Sequence, residues 1–537
     1  MAFTIFQAGS TLYGMDQRGS TVALTLPTGV VLDATLAARF AVFGNYAILV
    51  NSPNRPLAID ANLNVRVLCP NPPSGPLTLT GVAGGSLSGD FKARQTYIVR
   101  DMNGAVIAES DFGPLMGTAT VVASKYLQAS AINSSADTVS ASRLYRTSSG
   151  TAVYFKWMDV DGNTQTSSTL DDLSDAGLAT FSSPSLGTPP DLALIAEFRS
   201  RLFGVAKADL NRIYYTEVGT SYAWPSINVI TVPRLGSDAR GATGFARRRD
   251  ALGGGRTNGF YQITGTSISD FRMVNISENC GIEAPDSVKV YRDTAFFLWK
   301  DGVYQWDNAG LKNVSAGKVS RWFTRNGTFN LSRLQYAFAE IDALRKKYRL
   351  FLASASSTIE NCWIEYDFEE EKWWGPHTSH AFNPSAAFTF STDSGLRVPM
   401  VGATDGFCRL DRLRRTDDDT VGIDFDLVTA RQHSVVDSRG DRVGLPDEEK
   451  YFGELSISMQ PQPRGVLTVQ ATAGDLDASR SGDPEDAYLA PLTSDRECLG
   501  RVGQGKAYKL RFRNNVAGQH VNLRGYEISP SFVVGRR

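Results

Sequence analysis

A unit of about 40 to 50 residues keeps returning along this chain, the length of one four-stranded propeller blade. Each copy runs strand, glycine-containing turn, aromatic-rich strand. The copies are Ala193–Pro233, Gly241–Gly281, Ile282–Thr324, Leu331–Thr378 and Ala386 to Asp437. WKDGVYQWD in the third shows the grammar. Asp301-Gly302 turns the chain, then Val303 and Gln305 alternate with Tyr304 and Trp306. Alternation points side chains to opposite faces of a strand. One such unit cannot bury both faces alone, so its neighbours must cover them. The expected fold is therefore all-β: a six-bladed β-propeller, with the N-terminal region as the sixth blade.

Two stretches break the pattern. CPNPPSGP, Cys69–Pro76, marks a boundary, because proline stiffens the chain and donates nothing to a ladder. Beyond it, FKARQTYIVRDMNGAVIAES turns at Met-Asn-Gly, and Ser140–Thr169 repeats the trick at Ser149-Gly150 and Asp161-Gly162. Asn-Gly favours a tight hairpin. A small inserted β-sandwich fits. From Glu448 onward, GELSISMQP, GVLTVQATAG and KAYKLRFRNN alternate cleanly, as one wet and one buried face require. The expected domains are 1–70, an N-terminal blade region; 71–189, the inserted sandwich; 190–445, the remaining blades; and 446–537, a C-terminal β-sandwich or sheet.

The formal charge is −1, from 55 Lys and Arg against 56 Asp and Glu, so no global field selects nucleic acid or a membrane. No apolar run reaches membrane-spanning length. The N-terminus lacks the basic start and apolar core of a secretion signal. The cysteines Cys69, Cys280, Cys362, Cys408 and Cys498 are scattered, with no CxxC pair; they read as buried free thiols.

Candidate chemistry is sparse. His377 and His380 stand three apart, while His433 and His520 are distant, and all four read as loop or surface residues rather than metal ligands. The acidic runs Asp367 to Glu371 and Asp417 to Asp419 read as solvated turns, since a glycosidase needs two carboxylates facing one another across a cleft. Ser391–Gly395 matches part of a sialidase Asp-box without its tryptophan. The glycine-rich ALGGGRTNG, Ala251–Gly259, lacks the Lys-Ser/Thr of a phosphate cradle and reads as a mobile loop. Arg247, Arg248 and Arg249 precede it and Arg256 lies within it, and guanidinium forks suit phosphate or an acidic neighbouring subunit. No catalytic, cofactor or metal residue is assigned, and no enzyme activity is expected.

RSRLFGVAKADLNRIYYTEVGTSYAWP, Arg199 to Pro225, resembles a stretch of the tail nozzle, or tail tubular protein B, and of the related tail hub and stabilisation proteins of short-tailed bacteriophages. There a strand precedes a turn, an Asn-Arg-Ile/Val-Tyr-Tyr-Ser/Thr-Glu strand and a Trp-Pro. Here Arg212, Tyr214, Tyr215, Glu217, Trp224 and Pro225 carry that likeness, and Tyr214, Tyr215 and Trp224 are expected in the core. Pro285–Asp307, which includes Trp299 and Trp306, is similar to the same group, and Arg143–Gly162 resembles its fibronectin-like insertion. The resemblance implies a structural virion protein of the tail, made in the host bacterial cytoplasm. It implies a homo-hexameric ring bound to the head-to-tail adaptor ring, with tail fibres or spikes around it. Double-stranded genome DNA would pass through the bore without sequence specificity; no cofactor and no stable membrane insertion are expected. The four arginines would then form an intersubunit or bore loop. The alternative is a carbohydrate-binding or glycan-cleaving propeller of a host-recognition apparatus.

Overall fold

A computed structural model describes residues 3–116, 118–134, 138–161, 169–181, 183–232, 241–379, 382–404, 408–410, 416–417, 421–422, 425–429, 435–436, 442–443, 450–462, 465–474, 488–514, 521 and 523–533. The regular secondary structure of the described residues is nearly all strand, and the chain divides into two compact units. The first comprises 1–377 and 384–410, the second 378–383 and 411–537.

Within the first unit, small antiparallel sheets follow one another in sequence. Sheet 1 is Thr4–Ala8, Thr11–Met15 and Thr21–Ala23. Sheet 2 is Arg39–Phe43, Tyr46–Val50, Leu57–Ile59 and Val65–Val67. Sheet 3 is Leu192–Phe198, Arg201–Ala206, Asp209–Tyr215 and Val229–Thr231. Sheet 4 is Gly244–Arg247, Leu252–Arg256, Gly259–Thr264 and Arg272–Ser277. Sheet 5 is Lys289–Tyr291, Thr294–Trp299, Gly302–Asp307 and Gly310–Asn313. Sheet 6 is Phe338–Asp342, Lys347–Leu352, Cys362–Asp367 and Lys372–Thr378. Sheet 7 is Pro384–Ser391, Arg397–Ala403 and Cys408–Leu410.

From sheet 2 to sheet 7, the first strand of each sheet touches the first strand of the next. Apolar clusters fill most of the seams. Ile48, Val50, Leu202 and Trp224 join sheets 2 and 3. Val205, Tyr215, Leu252 and Tyr261 join sheets 3 and 4. Phe260, Phe297 and Trp306 join sheets 4 and 5, and Phe296, Leu350 and Tyr366 join sheets 5 and 6. Both faces of these sheets are covered, which is why aromatic residues recur at each repeat.

The N-terminal region departs from the expected single blade: among its described residues it forms two sheets. Sheet 1 wedges between sheets 7 and 2. Phe6 stacks on Phe388 of sheet 7 at 5.8 Å between ring centroids, while Leu12 packs with Leu49 and Leu57 of sheet 2. It lies inverted. Arg18, in the turn after its second strand, pairs with Asp393, in the turn after sheet 7's first strand, at 3.5 Å. The repeat count missed this sheet because its three short strands do not repeat the unit's grammar.

The segment between sheets 2 and 3 makes two sheets of its own, ordered Val106–Glu109, Ala93–Arg100, Ala141–Thr147, Tyr154–Asp161 and Thr169–Asp171, Ala119–Ser130, Thr78–Phe91. Leu79, Phe91, Leu127, Leu144 and Trp157 share their core. Arg146 is fully buried within it, its guanidinium 5.5 Å from the Phe91 ring and 5.8 Å from the Trp157 ring. In the second unit, Phe425–Val428, Ala507–Asn514, Val466–Gly474 and Tyr488–Pro491 form one sheet, and Arg496–Gly505, Lys450–Met459 and Leu523–Val533 another. Phe452, Leu467, Leu510 and Phe512 form their common core. The compact division falls at 411, upstream of the expected boundary at 446.

Trp306 is 1% exposed at the seam of sheets 4 and 5. Truncating a core tryptophan leaves a cavity as well as losing transfer energy, so Trp306→Ala is expected to cost about 3–5 kcal/mol. Urea denaturation followed by circular dichroism checks this; Trp374→Ala, at a half-exposed site, is expected to change stability by less than about 0.5 kcal/mol.

Candidate functional site: the hairpin tips and the axis

The Tyr-Tyr strand lies in sheet 3. Tyr215 is buried, stacked on Phe203 at 5.4 Å, with Phe271 edge-on at 5.3 Å. Its neighbour Tyr214 is half-buried on the opposite face, against the cluster shared with sheet 2. Trp224 is buried and donates its Nε1–H to the Ser221 carbonyl at 3.0 Å; Pro225 is buried beside it. Glu217 accepts from Asn228 Nδ2 at 3.0 Å and lies 3.5 Å from Arg201. Arg212 is exposed and pairs with Asp209 at 3.2 Å. In sheet 5, Trp299 donates Nε1–H to the Thr257 carbonyl at 2.6 Å. These residues weld the sheets together.

The glycine-rich stretch corrects an expectation. It is no loop: Leu252–Arg256 is the buried second strand of sheet 4. A Cβ on Gly253 would come within 2.7 Å of Phe260 and 2.8 Å of Trp306, and one on Gly255 within 2.4 Å of Ile282. Glycine is required because the aromatic side chains of sheets 4 and 5 sit directly on the backbone. Arg256 is 1% exposed at the end of this strand and donates to Asn211 Oδ1 at 2.8 Å. Sequence pattern alone does not separate a glycine run that flexes from one that lets another residue approach.

The other three arginines surround the turn between the first two strands of sheet 4. Arg248 is buried at 7% exposure. It pairs with Asp293 at 2.9 Å, hydrogen-bonds Asn308, and lies 4.7 Å from the Trp306 ring centroid. Arg247 is exposed and pairs with Glu197 of sheet 3 at 2.7 Å. Arg249 is exposed, and its backbone N–H donates to Asp293 at 2.9 Å. Arg248 and Arg256 are thus structural, and only Arg247 and Arg249 of the four face solvent.

A short 3-10 turn, Pro285–Ser287, precedes sheet 5 and touches the first strands of sheets 4 and 6. Asp286 on it receives a two-pronged pair from Arg39 of sheet 2, both contacts at 2.9 Å. Arg39 also donates to the Ala193 carbonyl of sheet 3 at 3.0 Å. Tyr348 of sheet 6 donates its hydroxyl to the Ser287 carbonyl at 2.8 Å. Four sheets, 2, 4, 5 and 6, therefore meet at this turn, and Arg39 ties in sheet 3. No local signal in the sequence joins Arg39 to a residue 247 positions away.

Acidic residues of sheet 6 form a ladder. Glu340, Arg349 and Glu365 lie opposite one another on adjacent strands. Lys289 pairs with Glu340 at 3.2 Å, Arg349 with Glu365 at 2.9 Å, and Lys347 with Glu365 at 2.7 Å. Thr389 of sheet 7 also donates to Glu340. Burial pulls the Glu365 carboxyl up, but Arg349 and Lys347 outweigh it and hold the group below the usual range. A Glu365 carboxyl held low and doubly partnered suits cohesion rather than proton transfer. The turn residues Glu369, Glu370 and Glu371 are exposed, and Glu371 pairs with Lys312 at 3.0 Å. Asp418 and Asp419, with His380, His433 and His520, lie outside the described residues. Cys69, Cys280 and Cys362 are buried free thiols, whereas Cys498 is exposed. Burial pushes Cys69 and Cys362 up to about 12. Among the described residues, no group of three or more His, Cys, Asp or Glu is placed to hold a metal ion.

No family model matches this chain, and no curated protein matches it. Among solved structures, a complex described as BBS1N with ARL6DN, soaked with mercury, is 11% identical with a TM-score of 0.24, covering 76% of this chain and 88% of that one. The same complex soaked with lead gives 11% and 0.24, covering 77% and 92%. Likeness of this grade carries no functional argument.

Two predictions follow from the charged residues. Arg248→Ala removes the ion-pair partner of the part-exposed Asp293 and bares the Trp306 face, and is expected to cost about 1–3 kcal/mol; Arg249→Ala is expected to stay within about 0.5 kcal/mol. Thermal and urea unfolding separate the two. His377 packs beside Trp363 at 5.7 Å, and burial lowers its pKa despite the opposing pull of Glu365. The unfolded chain therefore binds this proton more readily than the folded one. Stability from this residue is complete above about pH 6.5 and falls as pH drops toward the lowered folded value. His377→Gln is expected to flatten that slope in urea melts recorded between pH 5 and pH 8.

Proposed function

We propose that this chain is a structural subunit of the nozzle, the lower tail tube or hub, of a short-tailed bacteriophage. In this reading it binds the head-to-tail adaptor ring and helps conduct or gate genome ejection. The observation that carries it is the placement of the resembling stretch. Arg199–Pro225 builds sheet 3 and its seam with sheet 2, directly after the inserted two-sheet segment. Sheets 2 to 7 act as the six blades of a propeller, sheet 1 closes the gap between the last and the first, and the insertion is fibronectin-like. Successive first-strand contacts and apolar seams support that architecture.

The axis of each subunit is not the DNA path in this proposal. The Arg39–Asp286 pair and the turn that carries it stand where the first strands converge. A genome conduit is then formed between copies, and a closed ring of identical subunits needs repeated heterologous contacts. Arg247 and Arg249 are the members of the arginine cluster available to such contacts.

Cryo-electron microscopy of particles containing this chain tests the reading. The expected result is a sixfold ring below the adaptor with one copy of this fold per subunit. A chain that is absent from particles and remains a monomer overturns it. Arg247→Ser with Arg249→Ser is expected to lower ring assembly or genome retention while leaving the thermal midpoint of the isolated chain unchanged.

A further inference from the structure

The seams from sheet 2 through sheet 6 are filled by apolar clusters. Among the described residues, no such cluster joins sheet 6 to sheet 7. Strand alternation explains the difference. It sends Tyr348, Leu350, Ile364 and Tyr366 to the face shared with sheet 5, and Lys347, Arg349, Phe351, Trp363 and Glu365 to the other. Two rows cross that other face. One is aromatic: Phe338 stacks on Phe351 at 5.0 Å, Phe351 lies 6.0 Å from Trp363, and Trp363 lies 5.7 Å from His377. The second is charged, with Glu340, Arg349 and Glu365 in register on three strands.

Both rows are buried on the inner strands and open toward the outer one. Phe351 is 3% exposed, whereas Trp374 on the outer strand is 49% exposed. The Lys347 ammonium lies 5.6 Å from the Trp374 ring centroid. Trp374 is the one exposed large apolar side chain on the four strands of sheet 6. Packing does not ask for it. Its neighbour Trp373 does that work, with its Nε1–H donated to the Val314 carbonyl at 3.1 Å and its ring 4.8 Å from Tyr366.

We propose that the outer half of this face binds a neutral saccharide, with one pyranose ring stacked on Trp374 and its hydroxyls bonded by Lys347, Glu365 and His377. A pyranose has an apolar C–H face and a rim of hydroxyls. An aromatic face beside fixed donors and acceptors matches both. Glu365 receives Lys347 at 2.7 Å and Arg349 at 2.9 Å; a carboxylate accepts about four hydrogen bonds, and an ammonium has further N–H groups to give. Burial lowers the pKa of His377, so at neutral pH its ring offers one donor and one acceptor.

Other ligand classes fit less well. Lys347 and Arg349 are held by Glu365 and Asp342, which leaves no surplus cation for the phosphates that accompany a stacked base. A protein partner would call for several apolar anchors at the centre of its contact, and this face exposes one. Glu365, kept ionised by its two cations, is not poised to protonate a leaving sugar oxygen. The site therefore binds a glycan without cleaving it. The inference stands on sheet 6 and does not rest on the nozzle reading.

The test is saturation-transfer NMR and calorimetry of the full chain with maltohexaose, cellohexaose, xylohexaose, mannohexaose and chitohexaose, and with a charged hyaluronan hexasaccharide. At least one neutral hexaose is expected to bind with a Kd of about 1 mM or tighter, insensitive to salt, and to be recovered intact. Trp374→Ala is expected to weaken that binding at least about tenfold, and Trp374→Phe to stay within about threefold. Leu344→Ala, at an exposed hairpin tip of the same sheet, is expected to bind as the intact chain does. Thermal midpoints of all three variants are expected to stay near that of the intact chain, so lost binding is not lost folding. No neutral hexaose bound at that level, unchanged binding by Trp374→Ala, or binding of the hyaluronan fragment alone each overturns the proposal.

Discussion

Face-to-face burial of apolar side chains between successive sheets is the interaction on which the first unit depends. Each sheet has only three or four short strands and cannot bury its apolar faces alone. Phe260, Phe297 and Trp306 gain their burial only because two sheets close on them. The glycine strand follows from the same constraint. Gly253 and Gly255 remove side chains so that Phe260, Trp306 and Ile282 approach the backbone. Arg248, stacked over Trp306 and tied to Asp293, seals that seam at its polar end.

The contact of sheet 6 with sheet 7 is built differently. Glu340 sits between Lys289 and Thr389, and Arg349 and Glu365 continue the ladder across sheet 6. Buried charges demand partners and directional geometry. They add little net energy over a greasy contact, but they admit few registers. The polar ladder thus spans sheets 5, 6 and 7 by directional contacts, while the apolar seams supply cohesion.

Much of the architecture was legible in the sequence, because strand alternation and turn chemistry are local. The hairpin at Asp301-Gly302, the Tyr215 strand and the alternating C-terminal strands need only a few neighbouring residues to be recognised. The arginine cluster was visible as composition, but its meaning was not. Whether Arg256 flexes in a loop or is buried in a strand depends on Ile282 and Asn211. Arg39 and Asp286 carry no mark of each other. Sheet 1 escaped notice because it is short and lies outside the period of the repeat.

The wedged first sheet has a mechanical consequence. The chain itself crosses the seams between sheets 1 and 2, 2 and 3, and so on to 7. Among the described residues, sheets 1 and 7 are held by side chains, chiefly Phe6 on Phe388 with Met15, Phe390 and Met400. That seam is a clasp and the others are hinges. Parting that seam would break no strand ladder and stretch no linker. What resists its opening is a few aromatic and thioether contacts and the Arg18–Asp393 pair.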